Sequence, residues 1–129
     1  MAVLKKDVAP RYLQAEGIVS YLLASPRTSA AQYLTTSLVE LQAGGEQRVH
    51  SHHPEQVYYI LDGNGHMTLG GEVFSVVVGD CVLIPSGILH GLKNDSCGML
   101  RNFSAAAPSF ASEELTRFWP LPSKTEITG

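Results

Sequence analysis

The sequence predicts an all-β barrel or sandwich. Short runs rich in β-branched and aromatic residues recur at close, regular spacing, and clusters of Gly, Pro, Asn and Asp separate them. Helical periodicity is confined to the end of the chain. At 129 residues the expectation is one domain spanning 1–129, with a barrel core over about 31–105.

The elements follow in order. Ile18–Leu23 is an apolar run closed by Ser25-Pro26-Arg27. Ala31–Leu41 alternates, carries Tyr33, Thr35, Thr36 and Val39, and stops at Gly44-Gly45. Arg48–His52 reads as a strand ending before Pro54, and Gln56–Leu61 as a Val/Tyr/Ile-rich one. Asp62-Gly63-Asn64-Gly65 has the composition of a hairpin turn. His66–Leu69 and Glu72–Val78 flank Gly70-Gly71. Cys81–Ile84, His90–Lys93 and Met99–Ser104 complete the strands. Ser112–Phe118 reads as one or two helical turns, with Ser112 as N-cap and Glu113 and Glu114 in the first turn. The tail from Pro120 is expected to be loose or laid over a neighbouring surface.

Composition narrows the function. A chain that is 44% hydrophobic and 16% charged has a soluble globular make-up. Net charge is −3 and no basic cluster exceeds Lys5-Lys6, which argues against nucleic acid as a partner. No run approaches the ~20 apolar residues of a membrane span, and Met1 to Pro10 lacks the apolar stretch of a signal peptide. Cys81 and Cys97 form no metal-binding pair and read as reduced thiols, Cys81 as a packed small hydrophobe. A cytoplasmic location is the expectation.

Chemistry concentrates in two motifs. The first is Gly44-x5-His50-x-His52-x3-Gln56-x6-Gly63; the second is Gly79-x5-Pro85-x-Gly87-x2-His90-x3-Asn94. Period-2 geometry puts His50 and His52 on one face, and Gln56 keeps that parity after the turn at His53-Pro54-Glu55. Imidazoles converging from two hairpins suit a divalent transition metal. The odd member is Gln56, where a carboxylate is expected. Gly63 and Gly79 sit where positive φ is expected, and Gly87 lets a tight bend aim His90 inward.

These two motifs resemble the paired signatures of the cupins, which are small jelly-roll barrels, or double-stranded β-helices. Every fixed position matches except Gln56, where the family has Glu. The resemblance runs from Gly44 to Asn94 and implies that His50, His52, Gln56 and His90 hold one divalent metal, one of Mn, Fe, Ni, Zn or Co. It also implies a homodimer. A neutral amide in place of a carboxylate raises the net charge of the site by one. That weakens the hold on hard ions, makes the metal a stronger Lewis acid and disfavours higher-valent redox states. The chemistry therefore tilts from an Fe- or Mn-dependent dioxygenase toward a lyase or isomerase acting on a small carboxylate or sugar-acid-like molecule. Small cupins that open unsaturated uronates also carry an amide at this position. A metal-free barrel and a non-enzymatic small-molecule-binding barrel are the competing readings.

Parity adds two candidates. Tyr58 shares the parity of Gln56 and is expected inside the barrel, either as a base toward a substrate α-proton or as a core aromatic. Some small cupin lyases resemble this arrangement, with a tyrosine two positions after the acidic ligand acting as the base. Arg48, two before His50, is expected to face inward toward a substrate carboxylate, or to reach solvent at the mouth, with Glu40 as a possible ion-pair partner. His53 and His66 fall on the outer face. Arg101 and Asn102 compete for one inward slot. Val57, Tyr59 and Leu61 form an apolar outer face, which the N-terminal strand, the C-terminal turn or a second subunit would cover.

Overall fold

A computed structural model of the chain describes residues 3–14 and 17–120. Its strands are β1 (Arg11–Gln14), β2 (Ile18–Leu22), β3 (Thr35–Leu41), β4 (Glu46–His50), β5 (Glu55–Asp62), β6 (Asn64–Leu69), β7 (Glu72–Val77), β8 (Cys81–Ile84), β9 (His90–Lys93) and β10 (Leu100–Ala107). One helix, α1 (Ser112–Phe118), follows. The expected loose tail lies beyond 120, outside the described residues.

The strands form two antiparallel sheets, one in the order β1-β2-β3-β10-β5-β8 and the other β4-β9-β6-β7. Period-2 alternation gives each sheet an apolar inner face, and the two faces meet as a jelly-roll barrel. Ile18, Leu41, Ile60, Ile84 and Leu100 come from the larger sheet, and Met67, Val76 and Leu92 from the smaller. A second cluster of Leu22, Ala106, Phe110, Leu115 and Trp119 sits where α1 folds back on the barrel.

Several local expectations change. Asp62-Gly63-Asn64-Gly65 does not close a hairpin, because β5 and β6 lie in different sheets; the turn carries the chain across the barrel. Its glycines serve close approach. A Cβ on Gly63, at φ +78°, would collide with the Met99 carbonyl, and one on Gly65 with that of Lys93. The third strand starts at Thr35 rather than Ala31, since its partners β2 and β10 reach only Ser37 and Thr35. The N-cap of α1 is Ala111, one residue early, and the Glu114 carboxylate accepts the Ala111 backbone N–H at 3.0 Å. Strand β1 had no sequence signal, because four residues paired only with β2 show no readable pattern. Cys81 is exposed on the outer side of β8, not packed.

The outer face behaves as expected, with Tyr59 and Leu61 exposed and Leu83 beside Val57. The N-terminal segment meets the neighbouring strands β2 and β3, where Lys6 lies over the Tyr21 ring and pairs with Glu40 at 3.0 Å. Arg101 points outward to Glu40 and Asp62, so Asn102 takes the inward slot. Glu40 is thus the partner of Lys6 and Arg101 rather than of Arg48.

Asn94, the last residue of the second motif, is fully buried, and its amide N–H groups donate to the carbonyls of Leu41, Gln42 and Gly98. Its Oδ1 accepts from the Ser96 backbone and hydroxyl. One side chain thereby ties the β9–β10 turn to the end of β3. Replacing Asn94 with Ala should cost roughly 3 kcal/mol by stranding buried carbonyls; urea unfolding should show a lower midpoint at an unchanged slope.

Candidate metal centre

His50 ends β4, His90 opens β9, and the two are directly paired across the ladder. Their ring centroids lie 4.3 Å apart. His52 follows two residues after the end of β4 and places its ring 4.8 Å from that of His90. Gln56 lies near the start of β5. The structure therefore brings all four expected residues together, and the three imidazoles offer nitrogens within 4.8 Å of one another. Two nitrogens on one ion at ~2.1 Å each stand at most ~4.2 Å apart, a contraction that small ring rotations supply.

The tautomers are set by the backbone. Each Nδ1 faces a carbonyl oxygen: His50 that of Arg48 at 2.8 Å, His52 that of Pro54 at 2.8 Å, and His90 that of Ile88 at 2.9 Å. A carbonyl only accepts, so every Nδ1 carries the hydrogen and every Nε2 keeps its lone pair for the pocket. His90 Nε2 is buried and has no hydrogen-bond partner among the described residues. His52 Nε2 lies 2.9 Å from Gln56 Oε1, which sets two acceptors face to face. Turning the amide over would place a donor there but would leave His90 Nε2 unpaired. A cation satisfies both contacts. The donor set fits a divalent transition metal.

The amide N–H of Gln56 donates to Ser104 Oγ at 2.5 Å, which holds Oε1 toward the imidazoles. Burial pushes the imidazolium form of His90 down to a pKa of about 4, against the opposing pull of its carbonyl partner, and His50 is lowered for the same leading reason. Both rings are neutral near pH 7, as ligands must be.

Tyr58 points into the barrel as expected, with its ring 6.2 Å from that of His90. Its hydroxyl donates to Gln47 Oε1 at 3.0 Å. Burial raises the phenol well above its ordinary pKa, and the Gln47 bond opposes this only in part. Of its two expected placements, Arg48 takes the one at the solvent-exposed mouth. Between Gln47 and His50 the β4–β9 register slips, so three steps along β4 match two along β9. The extra residue moves Gln47, not Arg48, onto the inner face with His50; Arg48 is exposed and lines the pocket at its rim. Gln47 was not foreseen. The signal for it was Gly91 within a strand, where a Cβ would stand 2.8 Å from the Gln47 carbonyl and 3.1 Å from Val49 N. His53 is exposed, and exposed His66 pairs with Asp95 at 2.6 Å, so neither joins the site.

A pocket of about 550 Å³ opens onto the imidazoles. Ser37, Val39 and Ser104 line its barrel side, and Tyr12, Phe110, Phe118 and Trp119 its outer wall.

The lowered pKa of His90 fixes a pH dependence. The unfolded chain takes up its proton near pH 6.5 and the folded chain only near 4, so stability falls as pH drops through that window. Metal-stripped protein should lose melting temperature between pH 6.5 and 4, and His90→Gln should flatten that slope.

Comparison with known proteins agrees with this architecture. A family model described as "Cupin domain" matches residues 37–103. An uncharacterized protein of Methanocaldococcus jannaschii, MJ1618, is 30% identical over 111 residues, covering 84% of this chain and 87% of that protein. The transcriptional regulator PuuR of Escherichia coli is 33% identical over 58 residues, which are 45% of this chain and 31% of the regulator. Among solved structures, a "predicted oxalate decarboxylase" from Thermotoga maritima superposes with a TM-score of 0.71 at 21% identity, covering 82% of this chain and 98% of that one. KdgF from a Halomonas species gives 0.68 at 19% identity, covering 80% and 88%. Two sheets closed as a jelly roll, both signatures meeting at one histidine cluster and a matching domain model converge on one conclusion: the chain belongs to the cupin family.

Proposed function

We propose that this cupin binds one divalent transition metal through His50, His52, His90 and Gln56, and acts as a lyase or isomerase on a small carboxylate or other oxygen-rich anion, sugar acids included. The observation that carries the reading is the set of three imidazoles whose candidate ligand nitrogens lie within 4.8 Å of one another, with buried His90 Nε2 without a partner among the described residues. When bound, the ion would supply a positive charge that polarises a substrate oxygen and favours ionised Tyr58.

The chain's own residues divide the remaining work. The three backbone carbonyls hold the imidazoles in the donor tautomer. Ser104 orients Gln56, and Gln47 orients the Tyr58 hydroxyl. In this reading Tyr58, which lines the pocket, moves a substrate proton, and Arg48 at the rim meets a substrate carboxylate. A cytoplasmic homodimer completes the proposal. The exposed thiols of Cys81 and Cys97 suit a reducing compartment, and the apolar strip of Tyr59, Leu61 and Leu83 suits a second subunit. The match to a segment of PuuR supports a second reading, a small-molecule-binding barrel without turnover.

Elemental analysis should find one transition metal per chain, lost in His90→Ala. Gln56→Glu should bind that metal at least about tenfold tighter and turn over more slowly, since a carboxylate neutralises one charge. Tyr58→Phe should abolish turnover and spare metal binding. Oxygen consumption by iron-loaded protein, absent with zinc, would replace the lyase reading with a dioxygenase. Ligand-induced thermal stabilisation without product under any metal would favour the binding barrel.

A further inference from the structure

Four neutral donors leave a bound dication uncompensated, and no Asp or Glu is among the described residues lining the pocket. Removing such a charge from water is costly unless a negative partner arrives with it. The ligand is therefore the natural source of negative charge, and cationic ligands are disfavoured.

The aromatic wall beside the imidazoles dictates the rest of the ligand. Phe110 stands edge-on to the His52 ring at a centroid distance of 5.1 Å, so the apolar surface begins one ring away from the imidazoles. Phe118 lies edge-on to Phe110 at 5.5 Å, and Tyr12 faces the same space from β1. The wall is anchored. The Arg27 guanidinium donates to the carbonyls of Leu115 and Trp119 at the end of α1, and Phe110 N–H donates to Thr35 Oγ1.

A polyhydroxylated ligand finds poor company here. Trp119 is only 7% exposed, with Phe110 and Phe118 packed around it, so it offers no open face on which a sugar ring stacks. Ser20, beside this wall, accepts the Trp119 indole N–H through Oγ at 2.9 Å. A ligand hydroxyl buried against phenyl rings without a partner loses its hydration and gains nothing in return.

We propose that the pocket selects a short amphipathic anion, with a carboxylate or enolate head at the imidazoles and an apolar or aryl body against Phe110, Phe118 and Tyr12, over a polyhydroxylated acid. The head rests on the metal reading given above. The body rests on the wall alone.

The test uses the chain's single tryptophan, which lines the pocket. Metal-loaded full-length protein, its metal content first measured by calorimetry, is titrated with 3-phenylpropionate, D-galacturonate and 2-phenylethylamine while Trp119 emission is followed. The expected result is saturable binding of 3-phenylpropionate with a Kd at least about tenfold below that of galacturonate, and no saturation by the amine. Phe118→Ala and Tyr12→Ser, made separately and checked for folding by circular dichroism, should each weaken 3-phenylpropionate at least threefold and leave galacturonate and metal affinity unchanged. Galacturonate binding as tightly as 3-phenylpropionate to metal-loaded protein would overturn this inference and leave the metal site intact. So would a preference that survives both substitutions, or saturation by the amine. Failure to bind metal in the calorimeter would overturn the metal site and the anionic head together.

Discussion

Three hydrogen bonds from histidine Nδ1 to backbone carbonyls govern this site. Without them each imidazole could present either nitrogen, and convergence on one point would be an accident of rotamers. With them, Arg48, Pro54 and Ile88 contribute only their peptide oxygens, yet they decide that Nε2 is the nitrogen that keeps a lone pair on all three rings. The device explains the form of the motifs. His50 and His90 each bond the carbonyl two residues earlier, which needs a bend before the ring. Gly87, at φ +77°, helps provide it ahead of His90. His52 bonds forward to Pro54, past the end of β4.

That logic also marks what was legible in the sequence. His50, His52, Gln56 and His90 could be read because their relation is local: two-residue periodicity within a strand, plus a turn of fixed length. Tyr58 followed from the same parity. Arg48 did not, because a bulge resets parity and belongs to the pairing of β4 with β9 rather than to β4 alone. The same cause lies behind the undecided Arg101 and Asn102, where the β5–β10 register also slips. The aromatic wall was illegible for another reason. Tyr12, Phe110 and Phe118 lie in β1 and after β10, segments that no motif fixes, and only the closed barrel brings them to the histidines.

Gln56 can now be understood through its neighbour. A glutamate here would accept the Ser104 hydroxyl proton, turning Ser104 into a donor committed to the ligand shell. The amide reverses that bond. Its N–H donates to Ser104 Oγ, so the serine acts as acceptor toward Gln56 and keeps its own proton for the pocket it lines. One substitution thus makes two changes on the same side of the cavity. It removes a negative charge from the donor set, and it releases a hydroxyl donor beside the point where a ligand oxygen would sit. Both changes favour an oxygen acceptor arriving from outside, the lost charge favours an anionic one in particular, and neither favours a cation. The amide is better described as half of a receptor for negative charge than as a degraded carboxylate.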